Sequence, residues 1–398
     1  MEALHIFYKE LELEFNAITN YWKTCSIDTQ NGGFLGERDH YNTIIPEANK
    51  GIILNARLLW SFAAIAHYTG SSTLNHHINT AYTYLLNHFK DNRYGGVYWE
   101  LNAKGVPINK KKQTYAHAFA MYGLAQHYIH TKDEAAKTWA IALFHLMETH
   151  ALDKQKNGYI EGFNENWTPL QDMRLSEKDK NAAKTMNTHL HLLEAYTLLY
   201  QIHPHKTVEK ALQNLIHLFL HQFLNKNYHF ESFFDNNWQP LSCISSFGHD
   251  IEAVWLLIEA AKALKNKAIL GQTQAIAIPI TEEFLKTGYR KGEGIINETN
   301  HTTGASDTDR YWWVHAEAMV GLYYAFTISP KEKYTTAILD IWDFIKKHMI
   351  DTKNGEWFFR IDKNYRPYTK EYKLGMWKSP YHNARACMML LQHKNTPS

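Results

Sequence analysis

A turn motif of glycine and aromatic residues recurs six times along the chain at nearly constant spacing. The segments NGGF, YGGVYW, NGYIEGF, NYHFESF, GEGIINE and NGEWFFR begin at residues 31, 94, 157, 227, 292 and 354, so their starts lie 63, 63, 70, 65 and 62 residues apart. Gly and Asn permit positive backbone φ, and the aromatic and β-branched residues that follow favour a short extended piece. A fixed period is typical of one repeating architecture. We therefore expect residues 1–398 to form a single domain.

The intervals between these turns carry two helical patterns each. One member of a pair, such as GIILNARLLWSFAAIA at 51–66, is apolar nearly all round, which indicates burial on every side. Its partner, such as 73–90, is amphipathic. Six buried helices ringed by six amphipathic ones predict an all-α (α/α)6 barrel with short β-hairpin-like pieces in the connections, although the period alone leaves an open helical solenoid as an alternative. The predicted helices are 3–23, 50–69, 73–90, 113–130, 133–150, 183–202, 206–224, 247–265, 267–288, 310–328, 331–350 and 379–394.

Composition excludes several classes of function. Lys and Arg number 42 against 40 Asp and Glu, which leaves no basic stripe for nucleic acid. The three cysteines form no CxxC motif, so neither a disulfide framework nor a zinc ribbon is indicated. No apolar run reaches the roughly 18 residues of a membrane span, and the N-terminal segment lacks an apolar signal core. We expect a cytoplasmic monomer that has no nucleic-acid or membrane partner.

Titratable and aromatic residues interrupt the predicted inner helices near their starts. Burying an unpaired polar group is costly, so such residues need a reason. In an alternating barrel these helix starts share one end, where the residues would converge around one mouth and helix N-termini would add positive potential suited to an oxyanion. His249 and Glu252, three residues apart, lie on one helical face. The interrupting residues are Arg57, Tyr115, His117, Asn187, His189, His191, His249, Glu252, Trp312, Trp313, Trp377, His382 and Arg385.

Each of these residues also has a structural explanation. His249 and Glu252 can form a buried structural pair, Arg57 can bridge neighbouring helices, and the tryptophans can fill the core. Four histidines could bind a metal in principle, but no HExxH or carboxylate cluster accompanies them, and no GxGxxG, P-loop or GxSxG motif occurs. We predict no metal and no cofactor. The four histidines are His189, His191, His249 and His382.

Six segments resemble, in order, the motifs of the cellobiose 2-epimerase family of the N-acylglucosamine 2-epimerase superfamily. They are KGIILNARLLWSF, QTYAHAFAMYGLA, KTMNTHLHLLEAYTLLY, SFGHDIEAVWLL, WWVHAEAMVG and WKSPYHNAR, and the resemblance runs from about residue 30 to 390. It implies an (α/α)6 barrel and a cofactor-free epimerisation at C2 of a reducing-end sugar.

The resemblance also assigns roles to residues. It makes His249 and His382 the catalytic acid/base pair, which would act through ring opening and a cis-enediolate. We expect Glu252 to hold the imidazole of His249 and Arg57 to stabilise the enediolate oxygen. His191 belongs to the same site. The implied sugar-contacting residues are Tyr115, Asn187, Trp312, Trp377 and, as an alternative to Trp312, Trp313.

Other functions stay open at this point. The implied substrates are β-1,4-linked disaccharides such as cellobiose, mannobiose or lactose, whereas related enzymes act on free mannose or interconvert aldoses and ketoses. A glycoside hydrolase would need two carboxylates across the cleft, for which Glu252, Asp250 and Glu317 are candidates. A sugar-binding protein without catalysis would keep the tryptophans but would not need two convergent histidines.

Overall fold

Alternating helices of the chain form two concentric rings in the computed structural model, which describes residues 2–392 and residue 394. The even-numbered helices form the inner ring, and the odd-numbered helices pack around them. In chain order they are α1 (Glu2–Cys25), α2 (Ile52–Thr69), α3 (Asn75–Tyr84), α4 (Thr114–Thr131), α5 (Glu134–Leu146), α6 (Met186–Ile202), α7 (Lys206–Leu218), α8 (Phe247–Ala263), α9 (Lys267–Thr287), α10 (Trp312–Ile328), α11 (Glu332–Phe344) and α12 (Tyr381–Gln392).

Hydrophobic patterning decides which ring a helix joins. Every residue of α2 from Ile52 to Ala66 is buried, because this helix is packed on all sides. The outer helix α7 buries only one stripe, which includes Val208, Leu212 and Leu215 at helical spacing. An amphipathic helix can cover the inner ring with this stripe while its polar face meets water.

The inner ring closes on itself. Each inner helix packs against the next one along the chain, and α12 returns to pack against α2. At the same joint, the backbone N–H of Arg38 donates to the carbonyl of Leu374 at 2.9 Å. The predicted (α/α)6 barrel is therefore confirmed, and the open solenoid is wrong.

Short antiparallel strands connect neighbouring repeats. A strand before an inner helix pairs with a strand of a following loop in β1–β2, β4–β5, β6–β7, β8–β11 and β13–β14. The strands are β1 (Lys50–Gly51), β2 (Glu100–Leu101), β3 (Pro107–Asn109), β4 (Lys112–Gln113), β5 (Gly162–Phe163), β6 (Lys184–Thr185), β7 (Phe233–Phe234), β8 (Ile244–Ser246), β9 (Tyr289–Arg290), β10 (Gly294–Ile295), β11 (Glu298–Asn300), β12 (Ser306–Asp307), β13 (Arg310–Tyr311) and β14 (Arg360–Ile361).

These strands correct several predicted helix ends. The helices predicted to start at 183 and 310 begin at Met186 and Trp312, because the preceding residues are extended in β6 and β13. The helix predicted over 73–90 is divided into a 3₁₀ turn at Ser72–Leu74, α3, and a π-helical turn at Leu85–Phe89. The predicted end of the last helix near 394 passes position 393, which lies outside the described residues, as do residues 1 and 395–398 of the predicted domain.

Three histidines tie inner helices to the glycine-rich turns. His117, His189 and His315 are each the fourth residue of an inner helix, α4, α6 and α10 respectively. Each Nδ1 donates to the carbonyl four residues earlier, at 2.7–2.8 Å. Each ring is therefore a neutral imidazole whose Nε2 accepts a hydrogen bond. The Nε2 atoms accept from the backbone N–H groups of Val97, Tyr159 and Ile295 at 2.8–3.1 Å.

Ion pairs hold two of these turns, and the first glycine-rich turn of the chain, from a second side. Three lysines, each two residues before an inner helix, bind a turn aspartate. The repeat therefore includes these side chains as well as the turns. The pairs are Lys50–Asp28 at 2.7 Å, Lys112–Asp91 at 2.6 Å and Lys184–Asp153 at 2.8 Å.

Among the helices of the described residues, we find none that combines the length and the apolar character needed to cross a lipid bilayer.

The turn-binding histidines predict acid sensitivity. Burial lowers the pKa of His117 to about 3 and the pKa of His189 and of His315 to about 4. Between these values and the unfolded pKa of about 6.5, the unfolded chain binds more protons, so stability falls as pH decreases. His189→Gln removes one such titration, worth about 2 kcal/mol at pH 5. Thermal unfolding at pH 7 and pH 5 should therefore show a smaller acid loss for this variant than for wild type.

The exposed His145 offers the control, and His145→Gln should follow the wild-type acid loss. An equal acid loss in wild type and His189→Gln would contradict the assigned neutral state of His189.

Candidate functional site

A cavity of about 730 Å³ lies at the barrel end where the inner helices begin. The segment 173–180 between β5 and β6 contributes to its wall. The structure brings all ten predicted site residues to this one cavity. They are Arg57, Tyr115, Asn187, His191, His249, Glu252, Trp312, Trp313, Trp377 and His382.

Helix register places several of these side chains at one depth. Arg57, His191 and Glu252 are each the sixth residue of their inner helix, and Glu317 holds the same position in α10. A helix rises about 1.5 Å per residue, so equal positions in parallel inner helices lie at a common level. The turn-binding lysines and histidines hold the starts of α2, α6 and α10 and therefore help to keep these positions in register.

The layer directly beneath the cavity, here called its floor, is a buried guanidinium surrounded by carboxylates, and of these residues Glu252 also lines the cavity. Arg385 Nη2 donates to Glu252 Oε1 at 2.9 Å and to Glu317 Oε1 at 2.7 Å. Its Nη1 donates to Glu194 Oε1. All four side chains are at most 4% exposed. Since buried charges must be compensated locally, these residues act electrostatically as one group.

Charge balance in this group singles out Glu252. Three carboxyl groups contact the one guanidinium of Arg385, so the group holds more potential negative charge than positive charge. Glu252 Oε2 has no hydrogen-bond partner among the described residues. Burial, together with the nearby Glu317, raises the pKa of Glu252 well above its usual range. The environment of Glu252 therefore favours its protonated form.

His382 is held by Glu317. Its Nδ1 lies 2.7 Å from Glu317 Oε1. A carboxylate can only accept, so Nδ1 carries the hydrogen and Nε2, on the other edge of the ring, has a free lone pair. Burial, then the charges of Arg57 and Arg385, lower the pKa of His382 well below its usual value. The ring is therefore a neutral imidazole with a basic Nε2.

His249 is held differently from the prediction. Its Nδ1 forms a hydrogen bond with Ser246 Oγ at 2.9 Å, whereas Glu252 turns toward Arg385. The expectation that Glu252 holds the imidazole of His249 is therefore wrong, because the guanidinium attracts the carboxyl group. Burial lowers the pKa of His249 to about 3, with a further contribution from His191. His249 is also neutral at physiological pH.

A tryptophan ring lies against both histidines. The ring centroid of Trp313 is 4.9 Å from that of His249 and 5.6 Å from that of His382. Gly248 allows this position, since a Cβ there would lie 2.4 Å from Trp313. Trp312 also lines the cavity, with the ammonium of Lys378 4.6 Å from its ring centre.

Arg57 and His191 complete the polar wall. Arg57 Nη2 donates to the hydroxyl of Tyr115 at 2.9 Å, and its guanidinium lies 4.3 Å from the ring centre of Phe119. His191 Nδ1 lies 3.1 Å from Glu194 Oε2. Burial lowers the pKa of His191 although this carboxylate opposes the shift.

Unsatisfied polar atoms occur in residues that line the cavity. Four residues that line it have buried polar atoms with no hydrogen-bond partner among the described residues. Buried polar groups are normally paired, so these atoms indicate a polar ligand. The atoms are Arg57 Nε, Asn187 Oδ1, Glu252 Oε2 and Trp312 Nε1.

Three of the polar residues that interrupt inner helices do not line the cavity, and one of them, Arg385, lies beneath it. His117 and His189 face the glycine-rich turns, so the interpretation that all interrupting residues converge at one mouth is wrong for them. Asp250, a candidate hydrolase carboxylate, accepts from His229 Nδ1 at 2.7 Å and from the backbone of Phe230 at 2.9 Å. It supports the turn of its own repeat.

Three functional partners escaped the sequence interpretation. Glu194 follows His191 by three residues on an apolar helix, which was a readable signal. Ser246 precedes His249 by three residues. Glu317 was considered only as a hydrolase carboxylate, and its contact with His382 spans 65 residues.

One trio of possible metal ligands lies in this floor among the described residues. Its candidate atoms, from Glu252, Glu317 and His382, lie within 4.8 Å of one another. The oxygens nearest Arg385 are Glu252 Oε1 and Glu317 Oε1, both already hydrogen-bonded to its guanidinium. A metal would have to displace this cation, so the arrangement fits a guanidinium better than a metal.

Comparison with known proteins agrees with this geometry. The profile of the family described as N-acylglucosamine 2-epimerase (GlcNAc 2-epimerase) matches residues 33–386. A cellobiose 2-epimerase of Bacteroides fragilis is 42% identical over 388 residues, which cover 97% of this chain and 99% of that protein. The solved cellobiose 2-epimerase of Bacillus thermoamylovorans superposes with a TM-score of 0.93 at 35% identity, covering 98% of this chain and 100% of that one.

A more distant solved structure shares the fold. A D-mannose isomerase superposes with a TM-score of 0.84 at 20% identity and covers 96% of this chain and 97% of its own. Because the family profile spans most of the chain and full-length relatives exceed 30% identity, the chain belongs to the N-acylglucosamine 2-epimerase family of isomerase-class carbohydrate epimerases.

Proposed function

We propose that this chain interconverts the glucose and mannose configurations at C2 of the reducing-end sugar of β-1,4-linked disaccharides. Cellobiose would become glucosyl-mannose, and mannobiose or lactose would react in the same way. The observation that carries the proposal is the pair of neutral imidazoles, His249 and His382, which line one cavity and both contact Trp313. Full-length cellobiose 2-epimerases among the relatives support the choice of substrate.

Inversion at C2 needs proton transfer on both faces of the carbon. One histidine takes the C2 proton through Nε2, and the C–H electron pair forms the C1=C2 bond of an enediolate while charge moves to O1. The other histidine then protonates C2 from the opposite face. Lowered pKa values keep both rings neutral at physiological pH, so either can accept the first proton.

The protonated Glu252 closes the proton balance. During ring opening, the donor histidine removes the O1 hydrogen while Glu252 Oε2–H protonates O5, and the C1–O5 bond breaks as C1=O1 forms. This leaves the donor histidine as an imidazolium, ready to protonate C2. Ring closure returns the O5 proton to Glu252, while the abstracting histidine gives its proton to O1. All three groups end in their starting states.

The cationic wall stabilises the intermediate. Arg57 lines the same cavity and its buried Nε has no partner among the described residues, so it can donate to the enediolate oxygen. A preorganised donor of this kind lowers the activation barrier by about 3 kcal/mol. His191, fixed by Glu194, lies beside Tyr115, with ring centroids 5.1 Å apart, and assists as a polar contact.

The remaining cavity residues position the sugar rings. Trp312 and Trp377 offer aromatic faces for stacking, and Asn187 Oδ1 and Tyr115 offer polar atoms for hydroxyl groups. The cavity of about 730 Å³ lies within the range of roughly 300–1,000 Å³ that is typical of small-molecule sites.

The site disfavours one alternative function and leaves another to be separated by assay. A glycosidase needs two carboxylates on opposite sides of the cleft, whereas Glu252 and Glu317 bind the same Arg385 nitrogen. A mannose 2-epimerase or an aldose–ketose isomerase acting on monosaccharides would use the same histidines, so substrate assays must separate these functions. The cytoplasmic location, the monomeric state and the absence of a cofactor stay predictions.

Incubation with cellobiose, mannobiose and free mannose in heavy water tests the function. NMR should detect the C2 epimer of each disaccharide with deuterium at C2, because the returned proton exchanges with solvent before delivery. Cellobiose should react at least tenfold faster than mannose. Release of glucose would indicate a hydrolase, and formation of ketose alone would indicate an isomerase; either result would contradict the proposal.

Single variants of the two histidines provide the controls for this assay. His249→Asn and His382→Asn should each reduce epimerisation at least 100-fold, since general acid–base catalysis is typically worth 10²–10⁴. Normal turnover by either variant would contradict the two-histidine mechanism.

A pair of glutamine variants tests the charge assignment. Glu252 accepts one hydrogen bond, from Arg385, so Glu252→Gln keeps that bond and should leave the melting temperature nearly unchanged while slowing turnover about 100-fold. Glu317 accepts from Arg385, His382 and Trp255. Glu317→Gln leaves a buried donor unpaired and should cost about 1–3 kcal/mol in the free energy of unfolding.

Thermal unfolding of both variants at pH 7 provides the comparison. If Glu252→Gln destabilised the protein as much as Glu317→Gln, Glu252 would be an ionised carboxylate and the proposed proton balance would fail.

A further inference from the structure

The two histidines of the cavity are supported by groups of different chemistry. His382 Nδ1 contacts a carboxylate oxygen of Glu317 at 2.7 Å, and His249 Nδ1 contacts the hydroxyl oxygen of Ser246 at 2.9 Å. A carboxylate only accepts a hydrogen bond, whereas a hydroxyl can donate or accept. Glu317 therefore requires a hydrogen on His382 Nδ1, whereas Ser246 is compatible with either tautomer of His249.

Ser246 is placed for this contact rather than for capping its helix. It directly precedes α8, and serine is among the preferred residues at such positions. Its side chain nevertheless makes no capping hydrogen bond. Thr185, at the same position before α6, does cap its helix by accepting from the backbone N–H of Thr188. The Ser246 hydroxyl is directed to His249 instead.

The backbone around Ser246 holds the hydroxyl in position. Ser246 pairs with Glu298 in the register of β8 and β11, and its side chain is buried. His249 follows three residues later, on the first turn of α8. The strand therefore sets the position of Oγ, and the helix sets the position of the imidazole.

We infer that Ser246 is a positioning residue whose hydroxyl lets His249 serve as both base and acid, while Glu317 keeps His382 in a single tautomer. The inference rests on the proposed function. When His249 Nε2 accepts the C2 proton, Nδ1–H donates to Ser246 Oγ. When His249 has delivered its proton, the serine hydroxyl can accept from Nδ1–H or, after rotation, donate to Nδ1. The two faces of C2 are therefore served by unequal groups.

Removing the hydroxyl should separate hydrogen exchange from inversion. In Ser246→Ala, His249 loses its support, but His382 keeps Glu317. For the epimer whose C2 hydrogen faces His382, slower ring opening through His249 lowers both rates. Each opened molecule then returns solvent deuterium to the same face more often than it inverts. For the other epimer, abstraction by His249 slows, so exchange and inversion fall together.

The experiment follows exchange and epimerisation from both epimers of the disaccharide in heavy water. NMR measures deuterium in the remaining substrate and in the product for wild type and Ser246→Ala. We expect the ratio of exchange to inversion to rise at least tenfold for one epimer only. A general loss of folding would lower both rates for both epimers and leave the ratio unchanged, so it cannot imitate this result.

Two further serine variants serve as controls for this experiment. Ser246→Thr keeps a hydroxyl and should retain the wild-type ratio. The neighbouring Ser245 is also buried and bonds a histidine, His301, at 2.7 Å, so Ser245→Ala should leave the ratio unchanged. A proportional loss in Ser246→Ala, with active wild type, would overturn the role of Ser246 alone. Absence of C2 exchange and epimerisation in wild type would instead overturn the proposed function.

Discussion

The buried guanidinium of Arg385 is the interaction on which the cavity depends. It is 2% exposed, and it binds three glutamates contributed by α6, α8 and α10. A charge so deep in a protein is tolerated only when its partners are complete, so the residue fixes the relative positions of four inner helices. Glu317 then orients His382, and the raised pKa of Glu252 favours the protonated form that the proposed mechanism uses. The proposed chemistry therefore depends on how the glutamates compensate the buried charge of Arg385.

The repeat supplies the second constraint. Closing a ring of six helices positions residues at a common depth only if every helix begins at the same level. Lysine–aspartate pairs and neutral histidines fix these starts in several repeats. In the fourth repeat, Asp250 takes the position of the histidine and accepts the turn N–H of Phe230. The same device thus uses different residues, which is why residue identity between repeats is low.

Sequence patterning predicted the barrel because its signals are local. Apolar runs and glycine-rich turns can be read within 20 residues, and the starts of the inner helices grouped ten residues that line one cavity. It was harder to predict from the sequence which side chains contact one another. His249 has Ser246 three residues before it and Glu252 three residues after it, and helical spacing allows both contacts. The choice depends on Arg385, which lies 133 residues from Glu252 in sequence. Likewise, the contact between Tyr381 and Glu194 spans 187 residues, so no local pattern could indicate it.

The proposed mechanism requires that Glu317 keeps His382 as a neutral imidazole with its hydrogen on Nδ1. Nitrogen NMR of protein labelled with ¹⁵N-histidine reads this state directly, with the His382 signals assigned by their loss in a variant that lacks this histidine. At pH 7 we expect the Nδ1 shift of a protonated nitrogen and the Nε2 shift of an unprotonated one. An imidazolium, or a neutral ring with its hydrogen on Nε2, would contradict the proposed role of Glu317 and His382.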